Sequence, residues 1–211
     1  MSLKTERSKN CRNNSVIVIE GSPCSGKTSL AKRLAKDLNI KLVKELLFKI
    51  KPNDKRRINF YINDLLKSLK NDNETTVIDR YFLSTVAFEE AFRKTYGQKK
   101  LIADTYDRQH FCALKLYPFF LQRSILKYPN IVLYLKISPL ESLRRRKMKE
   151  KVNYRNPWFD IRFLEAFQGY CVTKIRFWYK VEPIIINGSL TMKEIIAILK
   201  KKLDNYYKFI S

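Results

Sequence analysis

An α/β fold is predicted for this chain: a mostly parallel, five-stranded sheet between two layers of helices, with a helical lid. Three observations predict it. Short β-branched or apolar runs at 16–19, 40–44, 75–79, 131–137 and 184–186 alternate with stretches whose apolar residues recur at three- and four-residue spacing. Strands that alternate with helices in this way pair in parallel and are covered on both faces. The first strand also runs straight into Gly21-x-x-x-x-Gly26-Lys27-Thr28, a glycine loop that opens a helix.

Each element has its own justification. Leu30, Leu34 and Leu38, with Ala31 and Ala35, give the first helix an apolar stripe. The strand at 40–44 ends beside Glu45. Pro52 suits the first turn of a helix whose stripe is Ile58, Tyr61, Ile62, Leu65, Leu66 and Leu69, closed by Asn71-Asp72-Asn73. The run at 75–79 delivers Asp79 at its end. Helices are expected at 82–95 and 102–127, the second bent at Pro118, and then the strand at 131–137. Pro139 opens a helix that enters the basic run 144–151. A second helix follows Pro157, with Phe159, Phe163, Phe167, Cys171 and Ile175 near fourfold spacing. After the strand at 184–186, Asn187-Gly188-Ser189 turns into a final helix carrying Ile195, Ile198, Leu199 and Leu203.

Composition narrows the classes. A chain of 211 residues suits one buried α/β domain. We read 1–14 as a flexible basic tail and 15–211 as a single domain with its lid at about 144–160. No apolar run reaches the length of a membrane span, and the first fifteen residues lack the apolar core of a secretory signal. Cys11, Cys24, Cys112 and Cys171 show no C-x-x-C spacing and read as free thiols of a reducing cytoplasm. The net charge of +23 would suit a polyanion partner, but it is spread along the whole chain, and Lys, Asn and Ile are abundant together, as codon bias would produce.

The glycine loop carries the chemistry. Such a match arises by accident in roughly one chain in a hundred of this length, and the flanking strand and helix make accident rarer still. Residues Gly21, Ser22, Pro23, Cys24, Ser25, Gly26, Lys27, Thr28 and Ser29 would wrap the phosphates of ATP with backbone N–H groups at a positive helix end. Lys27 would reach the β- and γ-phosphates, and the Thr28 hydroxyl would ligate Mg²⁺. The carboxyl ends of parallel strands share one rim, which gathers this loop with Glu45, Asp79-Arg80 and the turn at Asn187-Gly188. Asp79 would complete the Mg²⁺ shell.

The segment Asp79-Arg80-Tyr81-Phe82-Leu83-Ser84-Thr85-Val86-Ala87-Phe88 resembles the D-R-Y-x-x-S-x-x-A-[FY] signature of thymidylate kinases. Ile19-Glu20-Gly21 is similar to the entry into the P-loop in those enzymes and in their deoxynucleoside kinase relatives. The strand from Tyr128-Pro129-Asn130 and the helix Ser138-Pro139-Leu140-Glu141-Ser142-Leu143-Arg144-Arg145 resemble the same superfamily, as does Ile185-Ile186-Asn187-Gly188, where its adenine turn lies. The resemblance covers about 15–205 and implies a P-loop NTPase three-layer αβα sandwich. It departs after strand two, where thymidylate kinases have R-E-P-G-G and this chain has Lys44-Glu45-Leu46-Leu47-Phe48, and where deoxynucleoside kinases have E-P.

The resemblance implies ATP- and Mg²⁺-dependent phosphoryl transfer, with dTMP as the favoured acceptor. Arg80 would clamp the acceptor's phosphate or 5′-oxygen in the fork geometry of a guanidinium. Arg145, Arg146 and Arg155 would be lid arginines and Arg144 would pack on adenine, with Lys147 and Lys151 on the same face if the helix is continuous. Asp160 would bond within the closed lid. Glu45 is the candidate base if the acceptor is a hydroxyl; an ionised phosphate acceptor needs none. Phe60, Tyr61, Asn63, Phe88 and Tyr106 either line a base pocket or belong to the core, the commoner fate of aromatics at helical spacing, and His110 is assigned no chemistry. Two rivals stay open: a deoxynucleoside or other small-molecule kinase using Glu45, and a nucleic-acid-binding or 5′-end-processing protein suggested by the charge. A GTPase is disfavoured because the chain lacks N-K-x-D. A homodimer is expected from the resemblance alone.

Overall fold

A computed structural model of the protein describes residues 15–44, 74–97, 117–118, 122, 126–154 and 156–210, with side chains described as far as 202. Among the described residues five strands form one sheet: β1 (Val16–Gly21), β2 (Lys41–Val43), β3 (Thr76–Asp79), β4 (Ile131–Lys136) and β5 (Ile184–Asn187). Their order is β2-β3-β1-β4-β5 and every pairing is parallel. Among the described residues the helices are α1 (Lys27–Asp37), α2 (Phe82–Tyr96), α3 (Pro139–Lys149), α4 (Ile161–Tyr179) and α5 (Met192–Ile210), with a 3-10 turn at Pro157–Phe159.

Strand alternation divides the core in two. Ile17, Ile19, Val77, Leu133 and Leu135 pack against Leu30, Ala31 and Leu34 of α1 and Ile195 and Leu199 of α5. Val16, Val18, Ile78, Val132 and Tyr134 face the other way, toward Phe82 and Val86 of α2 and Phe163, Phe167 and Tyr179 of α4. The central strands are apolar on both faces because both are covered. The α2–α4 side is an aromatic stack: Phe163 lies 5.2 Å from Phe88 and 5.0 Å from Trp158, ring centre to ring centre.

The local signals explain the helix ends. Ser138 accepts from Glu141 N at 3.1 Å and Pro139 follows it, so α3 starts where the sequence places it. Asp160 accepts from Arg162 N at 2.9 Å and caps α4. Thr191 and Glu194 cap α5 reciprocally, Glu194 Oε2 accepting from Thr191 N at 2.7 Å and Thr191 Oγ1 from Glu194 N at 3.3 Å.

The segment expected to form a lid differs from a continuous helix in one respect. Glu150 turns extended and ends α3 at Lys149, so Lys151 does not share a helical face with Arg144 and Lys147. Glu45, Phe60, Tyr61, Asn63, Tyr106, His110, Arg155, the tail expected at 1–14 and the helix expected from Pro52 lie outside the described residues, as does most of 102–127. Among the described residues no helix is long and apolar enough to cross a membrane.

Candidate active site

The carboxyl end of β1 becomes the phosphate loop because its neighbour strand lies against it. A Cβ on Gly21 would stand 2.2 Å from the Leu135 carbonyl oxygen of β4, and φ there is 139°, so only glycine serves. Ser22 N then donates to Leu135 O at 3.2 Å, and Gly26, at φ 97°, turns the chain into α1.

Three successive loop carbonyls are occupied, the first from within the loop and the next two from α3. Ser22 O accepts from Lys27 Nζ at 2.5 Å and from Ser25 N at 3.3 Å. Pro23 O accepts from the buried Ser142 hydroxyl of α3 at 2.7 Å. Cys24 O accepts from Arg145 Nη1 at 3.4 Å. A trans peptide sets its N–H opposite its carbonyl, so tying Pro23 O to α3 aims the Cys24 amide away from α3. Helix geometry leaves the first-turn amides of α1 without intrahelical acceptors, and no side chain among the described residues caps them. Together these features make a cradle for a phosphate chain, and Lys27, only 5% exposed, places its ammonium inside the loop.

Two other elements close on the loop. Gly188 N donates to Lys136 O at 2.8 Å, and a Cβ on Gly188 would lie 2.9 Å from Ile137 Cγ2 and 3.2 Å from Ser25 O. The Asn187-Gly188 turn therefore sits directly against the phosphate loop, as predicted. Arg145 bridges the same two elements, donating to Gly188 O at 3.0 Å as well as to Cys24 O, while Glu141 accepts from its Nε at 2.6 Å. Hydrogen bonds from Arg144 and Arg145 hold the Glu141 carboxyl down at about 2.

The other residues expected in a lid go elsewhere. Arg144 is exposed and makes a two-pronged pair with Glu141 at 2.7 and 2.8 Å. Arg146 lies 5.3 Å above the Phe159 ring and pairs with Glu150 at 2.7 Å. Asp160 accepts from Tyr96 Oη at 2.9 Å as well as from Arg162.

Asp79 ends β3 in register with Ile19, which places both on the α1 face of the sheet, the face where Thr28 begins its helix. It is 1% exposed, and its Oδ1 has no hydrogen-bond partner among the described residues. A buried carboxylate oxygen without a donor is costly unless a cation answers it. Asp79 and the Thr28 hydroxyl therefore fit Mg²⁺, an ion that takes one or two protein oxygens and completes its shell with phosphates and water. No group of three or more acidic, histidine or cysteine side chains suited to a metal occurs among the described residues, and Mg²⁺ with phosphates needs none.

Arg80 follows in the left-handed region, at φ 64°, rare for a side chain of its size. Its guanidinium carbon lies 5.9 Å from the centre of the Trp158 ring, and Trp158 lies 5.4 Å from Phe88. Phe88, a candidate for base pocket or core, packs into the aromatic stack, against Phe92, Trp158 and Phe163.

The sequence reading gave Glu20 no role. It is fully buried on β1, and its carboxylate accepts from Tyr81 N at 3.0 Å, Ser84 Oγ at 2.5 Å and Tyr179 Oη at 2.5 Å. Burial raises its pKa against the pull of those donors. The signal was available: one charge in the otherwise apolar strand Val-Ile-Val-Ile-Glu-Gly.

Solved structures share this fold. Three of deoxyadenosine kinase from M. mycoides align over 90% of this chain and 99% of theirs; that with bound dCTP is 17% identical with a TM-score of 0.66, and that with dCMP and dCDP 18% with 0.65. The YorR protein from Bacillus subtilis, in complex with phosphorylated GDP, is 18% identical with a TM-score of 0.53, over 91% of this chain and 98% of its own. No protein-family model and no curated protein sequence matches the chain. The P-loop αβα sandwich expected from the sequence is the fold observed.

Proposed function

We propose that this protein is a P-loop kinase that transfers the γ-phosphoryl group of ATP, with Mg²⁺, to a nucleoside or nucleotide. The observation that carries the reading is the buried carboxylate of Asp79, whose Oδ1 has no donor among the described residues, on the same face as a loop whose amides and Lys27 form a phosphate cradle. Bound Mg²⁺ supplies charge neutralisation for the β- and γ-phosphates. The rest of the chemistry is positioning and electrostatics by the chain's own groups. Lys27 would leave the Ser22 carbonyl for the β- and γ-phosphates, and the α1 amides would bind their oxygens. Arg80 would hold the acceptor's reacting end, and the rigid, carbonyl-tied loop would keep donor and acceptor in line.

The finer reading favours dTMP, on the strength of the D-R-Y segment at Asp79-Arg80-Tyr81. Likeness of fold to deoxyadenosine kinase supports a second, a deoxynucleoside acceptor with Glu45 as base. A product assay with ATP and Mg²⁺, run in parallel on dTMP, thymidine, deoxyadenosine and deoxycytidine, separates them. Lys27→Ala is expected to lower turnover about a hundred- to a thousandfold. Phosphorylation of dTMP alone selects the first reading. Phosphorylation of a nucleoside, abolished by Glu45→Gln, selects the second. No product above the Lys27→Ala blank with any acceptor would overturn the kinase assignment.

A further inference from the structure

Glu20 takes no part in the phosphate chemistry above, yet it lies one residue before the loop and its buried carboxylate accepts three hydrogen bonds on the α2–α4 side. Its three donors come from far along the chain: Tyr81 N and Ser84 Oγ at the start of α2, and Tyr179 Oη at the end of α4. Tyr179 Oη in turn accepts from Leu83 N at 3.2 Å. Helix α2 has no side-chain cap of its own, so Glu20 and Tyr179 take up two amides at its start. The Tyr179 ring reinforces the tie, standing 6.0 Å from Tyr81 and 4.9 Å from Phe82.

The clamp brackets Arg80. The amide of Arg80 donates to Ile19 O at 3.0 Å, and the next amide, that of Tyr81, donates to the Glu20 carboxylate. Two consecutive residues of β1 thus hold the two peptides on either side of a left-handed arginine. A residue in that region costs free energy and stays there only when its surroundings over-determine it.

We infer that Glu20 is a positioning residue for the acceptor side of the site: its carboxylate couples the strand that launches the phosphate loop to the turn carrying Asp79 and Arg80, and so sets where Arg80 stands relative to Lys27. The inference rests on the kinase reading for its functional half and on geometry alone for its structural half. Removal of the clamp releases Arg80 while the phosphate loop, tied separately to β4 and α3, keeps its shape.

The test uses Glu20→Gln, with Tyr179→Phe as a milder variant that keeps the ring and loses one donor. Amide hydrogen exchange comes first. Segment 79–88 is expected to exchange about tenfold faster in both variants, while segment 26–37 stays unchanged. With the acceptor that the unmodified protein phosphorylates, KM for that acceptor is expected to rise about tenfold and KM for ATP to stay within about twofold. Equal exchange in both segments, or a parallel rise in both KM values, would overturn the inference. A chain that phosphorylates no acceptor overturns the kinase reading instead, and the exchange data still decide the clamp.

Discussion

The two halves of the proposed kinase site, donor and acceptor, are held by different physics. On the donor side, the loop 21–28 is fixed by hydrogen bonds to its own backbone: Leu135 O, Ser142 Oγ and Arg145 Nη1 each take one of its polar groups. On the acceptor side, Arg80 and α2 stand on buried carboxylates inside an aromatic stack. Glu20 has three donors there, whereas Glu89, also buried on α2, has none for either oxygen among the described residues. Backbone ties make a rigid cradle indifferent to pH. Carboxylates in an apolar interface make a support whose stability depends on protonation.

Three expected outcomes break or sharpen that contrast. The largest effect is Gly21→Ala, which forces a Cβ to 2.2 Å from Leu135 O in a backbone where φ is 139°. We expect a loss of about 3 kcal/mol or more in urea unfolding together with loss of ATP binding, because the strand pair and the cradle share that one residue. An alanine variant of normal stability would show that β4 gives way easily and that the cradle is not rigid.

Next comes Glu89→Gln. Burial, then repulsion from Glu90, pushes the Glu89 carboxyl up from 4.5 to about 8. Below the lower value both folded and unfolded chains hold the proton, and above the upper value neither does. Between them only the folded chain is protonated, so stability falls as pH rises, by about 1.4 kcal/mol per unit. Unfolding free energies measured from pH 5 to pH 8 should decline on the order of 3 kcal/mol less in Glu89→Gln than in the parent. Parallel pH profiles would show that Glu89 is solvated, and the contrast between the two halves would then rest on Glu20 alone.

The smallest expected effect is Arg145→Ala, which removes the bridge between Cys24 O and Gly188 O without touching the acceptor side. KM for ATP should rise about tenfold while the acceptor's KM stays put, and far-ultraviolet circular dichroism should be unchanged. An equal rise in both would mean that the two halves are mechanically one.

Legibility followed the range of the interactions. The strand–loop–helix of residues 16–37 was readable because β-branched runs, glycine spacing and a 3.6-residue stripe are all local signals. The same holds for Pro139 and Ser138 at the start of α3 and for the turn at Asn187-Gly188. The separate placements of the arginines on α3 were not readable. Arg144, Arg145 and Arg146 are consecutive and chemically identical, and only the placement of α3 against the loop sends Arg145 to two backbone carbonyls, Arg144 to Glu141 at the surface and Arg146 to Phe159.

The sequence by itself determined the sheet's five parallel strands, the phosphate loop and the rim on which Asp79 and Arg80 fall, since each follows from residues within one or two turns of each other. Only the tertiary structure decided that Glu20 meets Tyr81, Ser84 and Tyr179, partners 61, 64 and 159 residues away, and that Glu89 meets no donor among the described residues. Periodicity tells which face of an element is buried. What a buried polar group finds there depends on strand order and helix packing, which bring distant segments together and leave no trace in local spacing.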